Sequence, residues 1–127
     1  MPYVTDIETA TLENEDFRRV LHTAEHSQLV LMTLGPGEEI GMETHGGVDQ
    51  FLRVEEGTGK AILDGEEFEL ADGSAVVVPA GTEHNVVNTS SSAKLKLYTI
   101  YSPPEHPDGT VHATKAEADA YEEEHHH

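Results

Sequence analysis

The stretch GSAVVVPAGTEHNVVN, residues 73–88, contains two short β-branched runs separated by a turn signal. Residues of this type favour extended chain. The intervening Pro79-Ala80-Gly81 ends the first run at Pro79, because proline fixes φ and glycine readily adopts a positive φ. We therefore predict two strands, Ala75–Pro79 and Glu83–Asn88, with His84 near the start of the second.

The same pattern of short runs and turn signals extends through the middle of the chain. Turns recur every eight to twelve residues, which is typical of an all-β sandwich or barrel. Asp64-Gly65 lies between two alternating runs and predicts a tight hairpin. The other predicted strands are Phe17–Thr23, Ser27–Leu34, Asp49–Glu55, Gly59–Leu63, Glu66–Leu70 and Lys94–Tyr101.

Alternation within these strands predicts which side chains face the interior. Lys94 and Lys96 are expected to face out. Ser27–Leu34 is apolar on both faces, so either a second sheet or a partner chain is expected to cover it. The predicted inward sets are Gln50, Leu52 and Val54 in one strand and Leu95, Leu97, Thr99 and Tyr101 in another.

The two ends of the chain lack strand periodicity. Residues 1–16 are interpreted as an arm, with a strand as the alternative to irregular chain. Residues 17–102 form the predicted β-domain, and 103–121 a proline-rich tail followed by a short helix, because Thr114 and Glu117 have the spacing of a capping box. Residues 122–127 are either a native acidic end or an affinity-tag remnant, and their three histidines are left out of the site.

Composition limits the range of functions. A chain of 127 residues fits one domain, and a formal net charge of −18 disfavours binding to nucleic acid or anionic membranes. There is no cysteine, and no apolar run approaches the length of a membrane span. The start has no secretory-signal pattern, so a cytoplasmic location is the default expectation.

A second stretch, GMETHGGVDQF at residues 41–51, carries candidate metal ligands. Glu43 and His45 are two residues apart, so in extended chain both side chains leave the same face. The Gly46-Gly47 pair allows a sharp turn, after which Gln50 re-enters from a neighbouring strand. His84 would approach from another direction, and the four groups could converge inside a barrel.

The spacing of both stretches resembles the cupin family. Residues 73–88 match the second cupin signature, G-x5-P-x-G-x2-H-x3-N, at Gly73, Pro79, Gly81, His84 and Asn88. The first signature, G-x5-H-x-H-x3,4-E-x6-G, fits in every spacing at Gly37, Glu43, His45, Gln50 and Gly57, but Glu43 and Gln50 replace a histidine and a glutamate. This resemblance implies a double-stranded β-helix, or jelly-roll barrel, with a short C-terminal helix and an interior ligand pocket.

The resemblance also implies one divalent transition metal ion held by Glu43, His45, Gln50 and His84. The site keeps a single carboxylate, relocated by the two substitutions, and iron, manganese, nickel, copper and zinc all remain candidates. Each residue also has a plainer interpretation. Glu43 is then a solvated acid, Gln50 an inward amide bonded to backbone, and the histidines complete turns.

Two functions remain open. The first is a metal-dependent enzyme of oxygenase or isomerase type acting on a small organic molecule, with Glu43 and Tyr101 as candidate catalytic residues. The second is a non-catalytic barrel that binds or senses a small molecule and holds a structural metal. The tail around His106 and His112 is expected to pack outside the barrel, with a lid over its mouth as the alternative. A homodimer through Ser27–Leu34 is expected, partly because small cupins are frequently dimeric.

Overall fold

In the computed structural model, which describes residues 2–125, nine β-strands and two α-helices follow one another along the chain. The helices are α1 (Ile7–Glu13) and α2 (Lys115–His125). The strands are β1 (Arg18–Thr23), β2 (Gln28–Leu34), β3 (Asp49–Glu56), β4 (Gly59–Leu63), β5 (Glu66–Leu70), β6 (Ala75–Val78), β7 (His84–Asn88), β8 (Leu95–Ser102) and β9 (Val111–His112).

The strands form two antiparallel sheets. The larger sheet has the order β6-β3-β8-β2-β1-β9, and the smaller has the order β5-β4-β7. The chain before β3 runs beside β7 and extends the smaller sheet, through isolated bridges from Glu39 to Val87 and from Glu43 to His84. The predicted jelly-roll barrel with a C-terminal helix is confirmed.

Most predicted strands agree with the structure to within a residue at each end. Gly59–Leu63 and Glu66–Leu70 coincide with β4 and β5. Their hairpin turn has positive φ at both central residues, 48° at Asp64 and 84° at Gly65, which suits the twist of the flanking strands. The two-residue β9 was not predicted, because it pairs only with β1 at Arg18 and Arg19 and two residues carry no period.

The core lies between the two sheets, where apolar side chains from both meet. The predicted inward sets of β3 and β8 are all buried. Gly57 allows β8 to approach closely, because a Cβ atom there would lie 2.6 Å from the Lys94 carbonyl oxygen. Fully or nearly fully buried core side chains include Val30, Met32, Leu34, Val54, Leu95 and Leu97.

The N-terminal arm is helical, so its interpretation as irregular chain or strand was wrong. Asp6 caps α1, with its carboxylate accepting a hydrogen bond from the Thr9 N–H at 3.1 Å. After the helix, the Asn14 side chain donates to Thr33 Oγ1 and the Thr33 hydroxyl donates to the Asn14 carbonyl. The helix is too short to show a clear period, and tertiary contacts stabilise it.

Lys96 is buried rather than exposed, which corrects the prediction that it faces solvent as Lys94 does. Its ammonium donates to the carbonyls of Leu12 and Asn14 and to Glu15 Oε1, at 2.7 to 2.8 Å. Pairing with lysines lowers the pKa of Glu15 to about 2. The chain's own N-terminal segment thus covers the second face of β2. The homodimer stays a prediction, but no partner chain is needed to cover this strand.

The C-terminal helix begins with the predicted capping box. The Glu117 N–H donates to Thr114 Oγ1 and the Thr114 N–H donates to Glu117 Oε2, both at 3.1 Å. Helix α2 continues to His125, beyond the boundary drawn at residue 121. The rest of the 122–127 end, His126 and His127, lies outside the described residues. Neither helix in the described chain is long and apolar enough to cross a membrane.

Candidate metal centre

Glu43 and His84 face each other across a pair of backbone hydrogen bonds. The Glu43 N–H donates to the His84 carbonyl, and the His84 N–H donates to the Glu43 carbonyl, both at 2.8 Å. The strand predicted to begin near His84 does begin there, as β7. This pairing brings together two candidates that are 41 positions apart in the sequence.

His45 completes a group of three neighbouring candidates. Its Nε2 lies 3.3 Å from Glu43 Oε2, and its ring centroid is 5.2 Å from that of His84. The His45 carbonyl accepts a hydrogen bond from the Gly81 N–H at 2.8 Å. The Pro79-Ala80-Gly81 turn of the second motif therefore holds His45 of the first motif in place.

The His84 ring is oriented by its own turn. Its Nδ1 lies 2.9 Å from the Thr82 carbonyl oxygen, which can only accept a hydrogen bond, so Nδ1 carries the proton. The Nε2 lone pair is then available to a ligand. A backbone carbonyl on the second ring nitrogen is the usual way in which proteins orient a metal-binding histidine.

Gln50 is buried in the interior beside the same group. Its Nε2 donates to Thr99 Oγ1 at 3.0 Å, whereas its Oε1 is buried and has no hydrogen-bond partner among the described residues. In the sheet, Gln50 is paired with Tyr101, whose ring meets His45 edge-on at 6.1 Å. A buried carbonyl oxygen without a partner is costly, and a bound cation or water would satisfy it.

The protein environment shifts the proton affinity of two candidate catalytic groups. Burial raises the pKa of Glu43, opposed by the nearby His45, Arg18 and His84. Burial also raises the pKa of Tyr101, so its phenol stays neutral and can donate a hydrogen bond or a proton. Without a bound metal, the Glu43 carboxyl group therefore gains and loses its proton at a higher pH than an ordinary glutamate.

The tail does not pack outside the barrel, so the expected placement was wrong. Glu105 Oε1 lies 3.4 Å from His45 Nδ1, and the His106 ring meets Tyr101 edge-on at 5.1 Å. Burial, followed by the charge of Arg18, lowers the pKa of His106 to about 3. Residues 102–109 contain three prolines and a glycine and show no strand or helix period. The approach of the tail to His45 could therefore not be predicted from the sequence.

Gln28, at the start of β2, holds this part of the tail in place. Its Oε1 accepts hydrogen bonds from the N–H groups of Glu105 and His106, at 3.2 and 3.0 Å. Its Nε2 donates to the His106 carbonyl at 2.7 Å. The sequence gave one signal for this role of Gln28, which is a polar residue at the start of a strand whose other positions are mainly apolar.

The donor set suits a divalent ion, although the side chains are not yet gathered around one position. Within residues 2–125, no three His, Asp or Glu side chains form a ready-made metal cluster. The Glu43 carboxylate instead lies at ion-pair distance from His45. Two imidazoles, one carboxylate and an unsatisfied amide oxygen are nevertheless chemically appropriate donors.

Comparison with known proteins agrees with this architecture. The family model described as a cupin domain matches residues 30–101. The protein YrkC of Bacillus subtilis, described as uncharacterized, is 52% identical over 128 residues, covering 96% of this chain and 68% of YrkC. Quercetin 2,3-dioxygenase of Bacillus subtilis is 30% identical over 78 residues, covering 61% of this chain and 23% of the dioxygenase.

A solved structure extends the likeness to nearly the whole chain. The crystal structure of BH2720 from Bacillus halodurans superposes with a TM-score of 0.92 at 49% identity, covering 94% of this chain and 95% of that one. The match therefore includes segments outside residues 30–101. With its two sheets, its motif spacing and this family match, the chain belongs to the cupin family.

Proposed function

We propose that the protein binds one divalent transition metal ion through Glu43, His45, His84 and Gln50, and uses it as an oxygenase- or isomerase-type enzyme on a small organic molecule. One observation carries the proposal. The paired backbones of Glu43 and His84 set a carboxylate and an imidazole side by side, with His45 Nε2 facing the same carboxylate at 3.3 Å.

The chemistry of these donors narrows the class of site. Two histidines and one carboxylate form the ligand set of non-haem iron(II) oxygenases, which leave positions open for substrate and dioxygen. When bound, the ion would supply Lewis acidity or a site for dioxygen. The likeness to a protein named quercetin 2,3-dioxygenase supports an oxygen-dependent reaction on a small molecule.

The chain's own groups would handle substrate and protons. Tyr101, buried and neutral, can hold a substrate oxygen through its hydroxyl. Glu43 is a proposed ligand, so the bound ion would hold it as a carboxylate, and its raised pKa belongs to the protein without metal. Tyr101 lies next to His45, which sets its hydroxyl beside the proposed ion.

A second candidate function is a non-catalytic barrel that binds a small molecule around a structural metal. The position of His45 favours it, since the ring lies between the carboxylates of Glu43 and Glu105. Contacts on both ring nitrogens limit access to the ion. A closed coordination shell argues against catalysis, whereas an enzyme needs at least one exchangeable position.

Metal analysis tests the proposal. Protein lacking residues 125–127, grown with iron, manganese, nickel, copper and zinc, is expected to retain about one ion per chain after gel filtration. Water-proton relaxation of the manganese-loaded protein then separates the two functions. Fast-exchanging water on the ion is expected for the enzyme, and none for the structural site. Protein that binds none of the five metals would overturn the proposal.

Replacing Gln50 with glutamate is expected to increase metal affinity about tenfold or more, because a charged oxygen replaces a neutral one at the same position. Without metal, the variant should melt at a lower temperature than the wild type, since it buries a second carboxyl group near Glu43. Competition titration with a chromophoric chelator measures the affinity.

Gln28→Glu is the matched control for this prediction. It alters another buried glutamine, one that holds the tail instead of facing the proposed ion. It should destabilise the protein without any gain in metal affinity. Equal metal affinity in Gln50→Glu and the wild type would show that residue 50 does not reach the ion.

A further inference from the structure

Arg18 is a buried cation with no ion-pair partner among the described residues. It points inward from β1 and is 4% exposed. Its Nε has no hydrogen-bond partner, and no described carboxylate lies within 4 Å of its guanidinium. Its one close ring contact is with Phe17, at 5.5 Å from the centroid. The next residue, Arg19, instead pairs with Asp16 at the surface, at 3.1 Å.

Such an arginine is costly to fold around. The guanidinium cannot lose its proton inside a protein, and burial removes the water that would solvate it. Most buried charges are paired or bind a ligand. An inward arginine that has neither among the described residues is therefore available to bind a ligand.

A cavity of about 240 Å³ connects this arginine with Glu43 of the candidate metal centre. Arg18 and Glu43 both line it, and the other walls include Gly41, Met42 and, from α2, Glu122. The volume corresponds to about eight water molecules, which is room for a small organic molecule. A molecule held at Arg18 would extend toward Glu43 and His45.

We propose that this cavity binds a small organic acid, whose carboxylate is held by the Arg18 guanidinium while the rest of the molecule reaches the Glu43–His45–His84 group. Only the second part of this proposal, the reach toward the Glu43–His45–His84 group, rests on the proposed function. The planar fork of five N–H donors matches a carboxylate in a bidentate arrangement.

The surrounding charge selects a monoanion over a phosphate. Arg18 contributes one positive charge, and the lining residue Lys115 is already paired with Asp119 at 3.0 Å. Glu43 and Glu122 line the same cavity, and Glu105 lies beside the neighbouring His45. A doubly charged phosphate would meet more repulsion here than a carboxylate with a single charge.

Calorimetric titration of the full chain tests the proposal with matched acids and amides. Acetate and benzoate are expected to bind at least about tenfold more tightly than acetamide and benzamide, the change expected from one charge-assisted contact. Inorganic phosphate should bind more weakly than either acid. Acids that bind no better than their amides, or phosphate that binds best, would overturn the inference.

Variants of the cavity and of its neighbour locate the binding. Arg18→Gln should lose the preference for acids, whereas Arg19→Gln should keep it. Glu122→Gln should bind benzoate more tightly, because a competing negative charge leaves the rim. The melting temperature of Arg18→Gln should not fall, since the change removes a buried charge that has no ion-pair partner among the described residues. An unchanged acid preference in Arg18→Gln would contradict the proposed anchor.

Metal content keeps this inference separate from the proposed function. Arg18→Gln should retain metal, because Arg18 is not a proposed ligand. If the wild-type chain holds no metal but prefers acids through Arg18, the acid site stands and the metal function fails. If it holds metal but does not distinguish benzoate from benzamide, the metal function stands and the acid site fails.

Discussion

His84→Ala is expected to lower metal affinity by at least about 100-fold, leaving the purified protein close to background metal content. The Thr82 carbonyl fixes the proton on Nδ1 of His84 and leaves Nε2 for the ion. Alanine removes that nitrogen and leaves Glu43 and His45 as the remaining charged or imidazole donors. Two such donors and an amide oxygen hold a divalent ion poorly.

Elemental analysis and chelator competition on chains lacking residues 125–127 measure this loss. His26→Ala is the control, because the His26 side chain is 88% exposed and is not a proposed ligand. The backbone pair between residues 43 and 84 does not depend on the imidazole, so circular dichroism should be unchanged. Full metal content in His84→Ala would show that the ion binds elsewhere.

Asn88→Ala is expected to reduce the free energy of unfolding by about 3 kcal/mol, the largest stability effect that we predict. The Asn88 side-chain amide is 1% exposed. Its Nδ2 donates to the carbonyls of Leu34, Gly35 and Ala93 at 2.9 to 3.1 Å. Its Oδ1 accepts from the Ser90 N–H, so alanine leaves several backbone groups without partners.

Urea unfolding at equilibrium measures this effect, with the slope of the transition checked for constancy between variants. Thr89→Ala, at an exposed neighbouring position, is the control and should lie within about 0.5 kcal/mol of the wild type. A similarly small change in Asn88→Ala would mean that water replaces the lost contacts. The second motif's asparagine would then be unnecessary for stability.

The barrel could be predicted from sequence because its signals are local. Alternation, the Asp64-Gly65 turn and the 79–81 turn each specify a strand or a reversal within a few residues. The grouping of Glu43, His45 and His84 followed from motif spacing, which reflects the same turns. Asn88 was identified as a position of the second motif, but its three acceptors lie on segments that only the folded chain brings together.

The remaining features depend on contacts between distant segments. Helix α1 is short and stabilised by packing, so its sequence carries no period. Alternation predicted that Lys96 faces solvent. In the structure the N-terminal segment covers that side of β8 and buries the lysine. Arg18 lies in the predicted strand Phe17–Thr23, but the sequence gave no reason to expect a buried charge there. Glu105 reaches His45 because Gln28 binds the tail.

The family match at residues 30–101 contains the four proposed ligands but neither Arg18 nor the segments of 103–125 that wall the cavity. Under the two proposals, the metal ligands lie within the matched barrel, whereas the acid anchor and part of the cavity wall lie in the flanking segments. Relatives that keep the barrel but differ in these flanks would then exchange one substrate for another with the same metal ligands. Grafting the two flanks between homologues should accordingly transfer substrate preference and leave metal preference behind.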